Sequence, residues 1–468
     1  MIGTSSFAGN VRTKGTELTG TRGALERIGG LTFYKDYRNT DFNADYSIGN
    51  RSATFAASRG SSNPATYFDS SGVMQKTETS NAGRFNYGYY DTSGWTAFSN
   101  RGLMIEGAST NYLKQSLFAA DGNSDGIADS WASDTSVAGS VTWSLVDASS
   151  DFNVGTTVNA QRWQYTGEAG DDGTKKANLK YADTAAGSFV QNDVATISFW
   201  IKGSLSGSTF DVNVTEADVG EVVGTSHNDT DILTLTDSWV KYTYSFVCVD
   251  ADCDRLRAFL QATDIGNGDT VDVYIACPQI EKQPFATSFI PTTTAALTRN
   301  AETLKYEISG NRTAATESCV VKVAPEYKDT PGGSTFCRVT DTDTKRRMVS
   351  FKGNNNDVAV EPNATDNVTC NVGNLVNEAW VANKEMTLGY NMQSGTSPYV
   401  AGFYNGVADG GNETSDDFTA NAWGTYFWVG SNASGQTQLF GTIFSIAFWD
   451  RVLDGGEHTT VHNLLTGA

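Results

Sequence analysis

Basic residues are scarce in this chain: 33 Lys and Arg stand against 53 Asp and Glu, a formal net charge of −20 over 468 residues. A nucleic-acid-binding protein neutralises phosphates with a basic face, so that class is disfavoured. An anionic cell surface would be approached without electrostatic steering, leaving recognition to hydrogen bonds, aromatic stacking or a bridging cation. No stretch nears the ~20 consecutive apolar residues that a membrane-crossing helix needs, so membrane insertion is not expected. Met1-Ile-Gly-Thr-Ser-Ser6 lacks a basic segment followed by an apolar one, and no signal peptide is visible. Histidine occurs three times. No GxSxG elbow and no GxxxxGK loop is present, which leaves Ser/His hydrolysis and nucleotide binding without support. The six cysteines, at 248, 253, 277, 319, 337 and 370, form no CxxC pair, so zinc chelation is not suggested by spacing. Cys248 and Cys253 flank Val-Asp-Ala-Asp and could close a hairpin disulfide or stay as free buried thiols. No internal repeat of about 20–50 residues is evident, as a parallel β-helix would show.

What is abundant is Thr, Ser, Gly and Asn, with 11% aromatics, the profile of an all-β, loop-rich chain. The length predicts about two to four domains, each able to bury its own core. Ala65–Phe68 is an aromatic run closed by an Asp69-Ser-Ser-Gly72 turn, and Arg84–Tyr90 ends in the same manner at Asp91-Thr-Ser-Gly94. Further strands are expected at Leu31–Tyr34, Ser140–Val146, Arg162–Tyr165, Val194–Lys202, Ser238–Phe246 and Thr270–Ile280. Short strands follow at Cys319–Val323, Phe336–Val339, Arg347–Phe351, Asp357–Val360 and Met386–Asn391, and helices are expected at Ala24–Ile28 and Asp454–Leu465.

Three pieces in order are Thr66-Tyr67-x-Asp69-x-x-Gly72, Arg84-Phe85-x-Tyr87, and Gly102-Leu103-x-Ile105-Glu106 leading to Thr110-Asn111-x-Leu113-x-x-Ser116. Together they resemble a segment of bacteriophage virion proteins of the tail-fibre, tail-spike and head-fibre type. Gly107-Ala-Ser109 departs from that pattern, which more often has Glu-Ala-Arg. The runs Thr196–Lys202, Trp239–Phe246, Val273–Glu281 and Ala286–Pro291, closed by Thr298-Arg299, resemble jelly rolls of carbohydrate-binding modules. Tyr399–Gly406, Phe427–Gly430 and Leu439–Trp449 resemble the laminin-G/concanavalin-like lectin fold. The layout these imply is a docking arm at 1–30, a β-unit at 31–115 that could instead complete a later sandwich, a jelly roll at 116–298 and a lectin-like sandwich at 299–468. The fold class expected is therefore all-β, with two antiparallel β-sandwiches.

Asp121, Asn123, Asp125 and Asp129 fall at positions 1, 3, 5 and 9 of a calcium-loop spacing, with Gly126 at 6 and the Ile127 carbonyl at 7. Position 12 is Ala132, so the bidentate Glu is missing, and an Asp-Gly turn without metal competes. A bound calcium would be structural. His458 and His462 stand one helical turn apart with no third ligand suggested. Trp200, Trp239 and Trp449 sit in apolar strands and are expected in the core. Trp95, Trp380 and Trp423 lie in polar surroundings and are the candidate sugar-stacking platforms.

The resemblances imply a virion-surface appendage that binds host glycans non-covalently, joined to other virion proteins through its N-terminal arm. A homo-oligomer, such as a trimer, is expected, although no coiled-coil heptads mark it. The chain is not expected to be an enzyme, and no cofactor beyond calcium is implied. Structural decoration without glycan binding, a glycan depolymerase with paired carboxylates and a secreted adhesin remain the alternatives.

Overall fold

Side chains along a strand alternate between faces, and the longest described strand of this protein is buried on both over most of its length. In Val194–Ser206, Ala195, Ile197, Phe199 and Ile201 enter one core while Trp200 enters another. The computed structural model describes residues 20–38, 53–58, 64–181, 183–218, 220, 223–229, 233–312, 316–327, 336–342, 348–352, 357–361, 370–371, 382–393, 399–408, 413–414, 425–432 and 438–467. The chain is all-β, with antiparallel sheets stacked as sandwiches and a short helix towards each end.

The middle sandwich pairs two five-stranded sheets. One runs in the order Val240–Val247, Val194–Ser206, Thr270–Glu281, Asn159–Thr166, Thr142–Asp147. The other runs Val223–Asp229, Thr209–Ala217, Arg255–Gly266, Asp172–Tyr181, Trp131–Thr135. Phe199, Phe210, Leu260, Trp163 and Val273 fill the space between them. A bulge at Cys277, whose φ of 52° breaks the register opposite Ser198 and Trp200, reverses the faces of the last strand. Ala276 and Cys277 therefore turn to the second core, and Ile280 returns to the first.

The second sandwich is assembled from both ends of the chain. Gly441–Trp449, buried at all nine positions, pairs on one side with Thr316–Pro325. Its other side is shared between Gly94–Ile105 and Leu31–Asp36. Arg84–Asp91 extends this sheet beyond Gly94–Ile105, and Ala53–Ala56 pairs with Thr303–Glu307 in the facing sheet. The segment 31–115, laid out above as a β-unit, is thus divided. Four of its strands complete the sandwich of 299–468, and the hairpin of Ala65–Phe68 with Met74–Thr77 adds Phe152–Asn153 instead. Phe33, Phe55, Phe85 and Leu103 pack with Leu304, Val321, Phe427 and Phe448 in one core, the contact that makes this pairing favourable.

Residues 1–19 of the expected arm lie outside the described residues. The rest of it forms the helix Gly20–Ile28, which docks within this chain: Leu25 is buried with Trp449, Leu453 and Val461. The helix Gly455–Thr466 begins at Asp454, which forms a capping box with Glu457. Arg451 ties the two ends, donating to the Ile28 carbonyl at 2.7 Å while pairing with Glu457.

Where the sandwiches meet, four charged side chains are shut away from solvent: Arg84, Glu106, Arg299 and Glu302. Arg84 Nη1 lies 2.6 Å from Glu106 Oε2, and its Nη2 lies 2.6 Å from Glu302 Oε2. Arg299 Nη1 reaches the same Glu106 oxygen at 3.1 Å. The Ser288 amide and hydroxyl donate to Glu106 at 2.7 and 2.6 Å, and the Glu106 amide donates to Glu302 at 3.0 Å. Removing one partner of such a buried pair strands its counter-charge and costs about 3–5 kcal/mol. Arg84→Met is expected to lower the unfolding transition, read by calorimetry, by on the order of 10 °C. A shift within a degree or two would mean the network is dispensable.

Candidate functional site

A cleft of about 450 Å³ opens between the sandwiches, directly over the ion network. Tyr67 and Phe68 come from the small hairpin, and Tyr89 and Tyr90 from the edge strand Arg84–Asp91. Trp200 and Lys241 come from the middle sandwich, and Ser288, Glu326 and Tyr327 form the side nearest the network. Tyr67, Tyr89 and Tyr90 are each half-buried, so their rings are held yet reachable. Behind them Phe68, Tyr90 and Trp200 form a ladder with centroids 5.2–6.4 Å apart. Lys241 Nζ sits 5.2 Å over the Trp200 ring and donates to the Thr287 carbonyl at 3.3 Å.

Two carboxyl groups meet at the inner side of the cleft. Burial pushes the Glu326 carboxyl well above the usual carboxylate range, and the neighbouring Glu106 charge, to which it is hydrogen-bonded, pushes it further. Burial also opposes ionisation of Glu106, but Arg299 and Arg84 overcome it and hold Glu106 well below that range. The two carboxyls are thus pushed in opposite directions: Glu106 is held as the carboxylate, and Glu326 is the one of the pair that takes up a proton more readily.

Of the three tryptophans expected as platforms, Trp380 and Trp423 lie outside the described residues. Trp95 is half-buried and braces the cleft wall from behind, with its ring 5.3 Å from Tyr90 and 5.5 Å from Phe68. It covers Gly88, where an added Cβ would lie 2.6 Å from the Trp95 ring and 2.3 Å from the Thr96 carbonyl. Trp95 thus supports the cleft wall and is not among the residues that line the cleft. Trp200, Trp239 and Trp449 are buried, as their strands imply. The sequence reading overlooked Lys241 and Glu326. It assigned Tyr67 and the aromatic run Arg84–Tyr90 to strands without seeing that their rings converge.

In the loop from Asp121 to Asp129, the carboxylates serve the backbone. Asp121 accepts from the amides of Asp125 and Gly126 at 3.2 and 3.0 Å, Asp125 from Ile127 at 2.8 Å, and Asp129 from Gly122 at 2.9 Å. Asn123 spends its amide on Asp125 at 2.9 Å, and Ile127 is buried in the middle core. Gly126 has φ 82°, and a Cβ there would strike the Trp143 carbonyl at 2.3 Å. Asp121, Asp125 and Asp129 do not bring one oxygen each within 4.8 Å of one another, and each accepts from loop amides as in Asx turns. The two helical histidines do not converge either. His458 Nε2 meets Asn391 Oδ1 at 2.9 Å with its ring stacked on Phe403, and His462 Nδ1 meets Thr387 at 2.9 Å.

Two outcomes follow from these placements. Asp121→Ala removes an acceptor from two amides and is expected to cost about 1 kcal/mol, equally with and without chelator. A wild-type melting temperature that falls on adding EDTA would support the calcium reading. Burial depresses His458 to about 3, so the folded state keeps it neutral while the unfolded chain takes up a proton below about 6.5. Stability is therefore lost as pH falls through this window. The difference in unfolding free energy between wild type and His458→Gln, measured between pH 6.5 and 5, is expected to carry a slope of up to ~1.4 kcal/mol per unit.

No protein-family model matches the chain, and no curated protein matches it by sequence. Among solved structures, the enzymatically active domain of bacteriophage CBA120 tailspike protein 4 is 12% identical over 36% of this chain, with a TM-score of 0.28. The match spans only 21% of that tailspike chain. Domain 4 of AbnA, an extracellular arabinanase of Geobacillus stearothermophilus solved with arabinotriose, is 13% identical over 38% of this chain and 81% of its own, at TM-score 0.28. The family 11 carbohydrate-binding module of Clostridium thermocellum, solved with a mixed-linked tetrasaccharide, is 17% identical over 40% of this chain and 99% of its own, at TM-score 0.25. The structural neighbours are thus carbohydrate-binding modules and glycan-active β-sandwich proteins, and similarity of this degree leaves ligand and activity to be argued from the chain's own residues.

Proposed function

We propose that this chain is a surface-exposed appendage protein of a phage virion, of the tail-fibre, spike or head-fibre kind, that holds host-surface glycan in the cleft between its sandwiches. The observation that carries the binding reading is the lining of that cleft. Half-buried Tyr67 and Tyr89 present aromatic rings beside Asn86, Asp91, Lys241 and Glu326. A sugar ring has an apolar face and a rim of hydroxyls, and this combination of rings and hydrogen-bonding groups matches both. The net charge of −20 favours neutral over anionic sugars. The virion assignment is supported by the motif resemblance, with residues 1–19 as the remaining candidate for contact with virion partners and a homo-oligomer as the expected assembly.

Binding without cleavage fits the carboxyl geometry better than hydrolysis does. A glycosidase places its two carboxyls ~5–9 Å apart across the scissile bond. Glu106 and Glu326 are hydrogen-bonded to each other, and Glu106 is wrapped by Arg84, Arg299 and Ser288. A purely structural role is the second reading, favoured by one fact: of the virion-type motif, Arg84 and Glu106 belong to the buried ion network, while Asn111 and Ser116 fasten the segment 278–292 of the middle sandwich.

The intact protein is expected to bind a subset of neutral oligosaccharides on a glycan array. Tyr67→Ala and Tyr89→Ala should each weaken binding about fivefold, the equivalent of ~1 kcal/mol per ring. Undiminished binding by both variants would move the site elsewhere, and an intact protein that binds no glycan would leave the structural reading. Tracing the chain in density of purified particles tests the virion premise separately.

A further inference from the structure

At the far end of the middle sandwich, where the chain crosses from one sheet to the other, two thiols and a carboxylate are buried together. Cys248 follows the strand Val240–Val247, Cys253 precedes Arg255–Gly266, and Glu216 ends the neighbouring strand Thr209–Ala217. One ligand atom from each of the three lies within 4.8 Å of the other two. Cys248 and Glu216 are wholly buried, and Cys253 is 6% exposed. Both cysteines are free.

Three features single out this cluster. Glu216 is fully enclosed, and no Lys or Arg pairs with it in the contacts described. Its oxygens accept from the Val249 and Asp250 amides at 2.8 and 2.9 Å, which aims the carboxyl group at the crossing loop. His227, brought alongside by pairing of Val214 with His227 across the sheet, places Nε2 2.6 Å from Glu216 Oε1. An imidazole that hydrogen-bonds a ligating carboxylate fixes its orientation, the outer support that metal sites usually have. The His227 side chain is 13% exposed and so marks a route from solvent.

We propose that Cys248, Cys253 and Glu216 form a binding site for a zinc ion whose fourth position is left to water, with His227 positioning the carboxylate. Two thiolates and one carboxylate are a donor set that zinc accepts, at about 2.3 Å to sulfur and about 2.0–2.2 Å to oxygen, which requires donors roughly 3–4 Å apart. The observed spacing needs only a small inward movement. On binding, the two thiols lose their protons to solvent and the Glu216 carboxylate is already in place, giving a site of net charge −1 where three anionic ligands meet a divalent cation. The metal would pin the loop 248–253 to the strand Thr209–Ala217 and so fasten one sheet to the other.

The test uses the full-length protein, reduced, freed of metal by chelator and titrated with cobalt(II) and then zinc(II). Uptake of one cobalt per chain with a thiolate-to-cobalt charge-transfer absorption, displaced by zinc, is the expected result. Cys253→Ser should abolish that absorption, whereas Cys277→Ser, in a separate core, should leave it unchanged. His227→Gln, at the rim of the cluster, should weaken zinc binding about tenfold with the fold intact, as loss of an orienting partner does. Failure of the folded, reduced wild-type protein to take up either metal overturns the proposal. So does isolation of the protein with a Cys248–Cys253 disulfide that persists in the presence of zinc and reductant.

Discussion

Two arginines and two glutamates sealed from water at the meeting of the sandwiches are the constraint on which the rest of this structure depends. Each charge was taken out of water at a cost of several kcal/mol, and only near-complete pairing offsets it. Arg84 is paired by both glutamates and also donates to the Thr66 carbonyl at 2.8 Å, while Arg299 donates to the Gly107 carbonyl at 3.1 Å. These groups come from segments up to about two hundred residues apart, and their hydrogen bonds are directional where apolar packing is not. A displaced sandwich would leave charges unpaired, so the network acts on specificity of arrangement more than on net stability.

The cleft follows from that arrangement. Its side nearest the junction is the network's own outer surface, where Ser288 caps Glu106 and Glu326 meets it. The arginines hold Glu106 as the carboxylate, and its charge, after burial, raises the neighbouring Glu326. The structural charge cluster thereby acts on the electrostatics of the cleft surface beside it. A substitution in the network would therefore alter the cleft surface as well as stability.

Much of this was legible locally. The strands expected at Val194–Lys202 and Ser238–Phe246 are found at Val194–Ser206 and Val240–Val247, and the helix expected at Asp454–Leu465 is found at Gly455–Thr466. The motif carried by Arg84, Glu106, Asn111 and Ser116 pointed to two members of the buried ion network and to two side chains that fasten the segment 278–292; Asn111 alone bonds the Ile290 carbonyl and the Leu113 amide. What was hidden is what distance in sequence hides. Nothing near Cys248 announces Glu216, which arrives through the pairing of Thr209–Ala217 with Arg255–Gly266. Glu326 reads as an ordinary acid after a proline, and its environment is set by Glu106, 220 positions earlier. At Asp121–Asp129 the spacing alone does not choose between the two readings, because Asp and Asn satisfy nearby amides as readily as they bind a cation.

The pairing of the two chain ends gives the layout its logic. A strand as apolar as Gly441–Trp449 needs cover on both faces and partners on both edges, and Thr316–Pro325 supplies only one edge. The other edge is closed by Leu31–Asp36 and Gly94–Ile105, which the chain makes more than three hundred residues earlier. The helix Gly20–Ile28 then lies against the strand's outer face together with Gly455–Thr466. Contacts of this range are formed late and at high entropic cost, so the middle sandwich, whose strands lie between residues 131 and 281, is the part able to order first. It is an insertion between the two halves of the other sandwich, and the buried charges at its base join the two on both sides of the insertion: Arg84 and Glu106 before it, Arg299 and Glu302 after it. A boundary drawn by sequence at 298 would cut through that network and expose an edge the whole chain has covered.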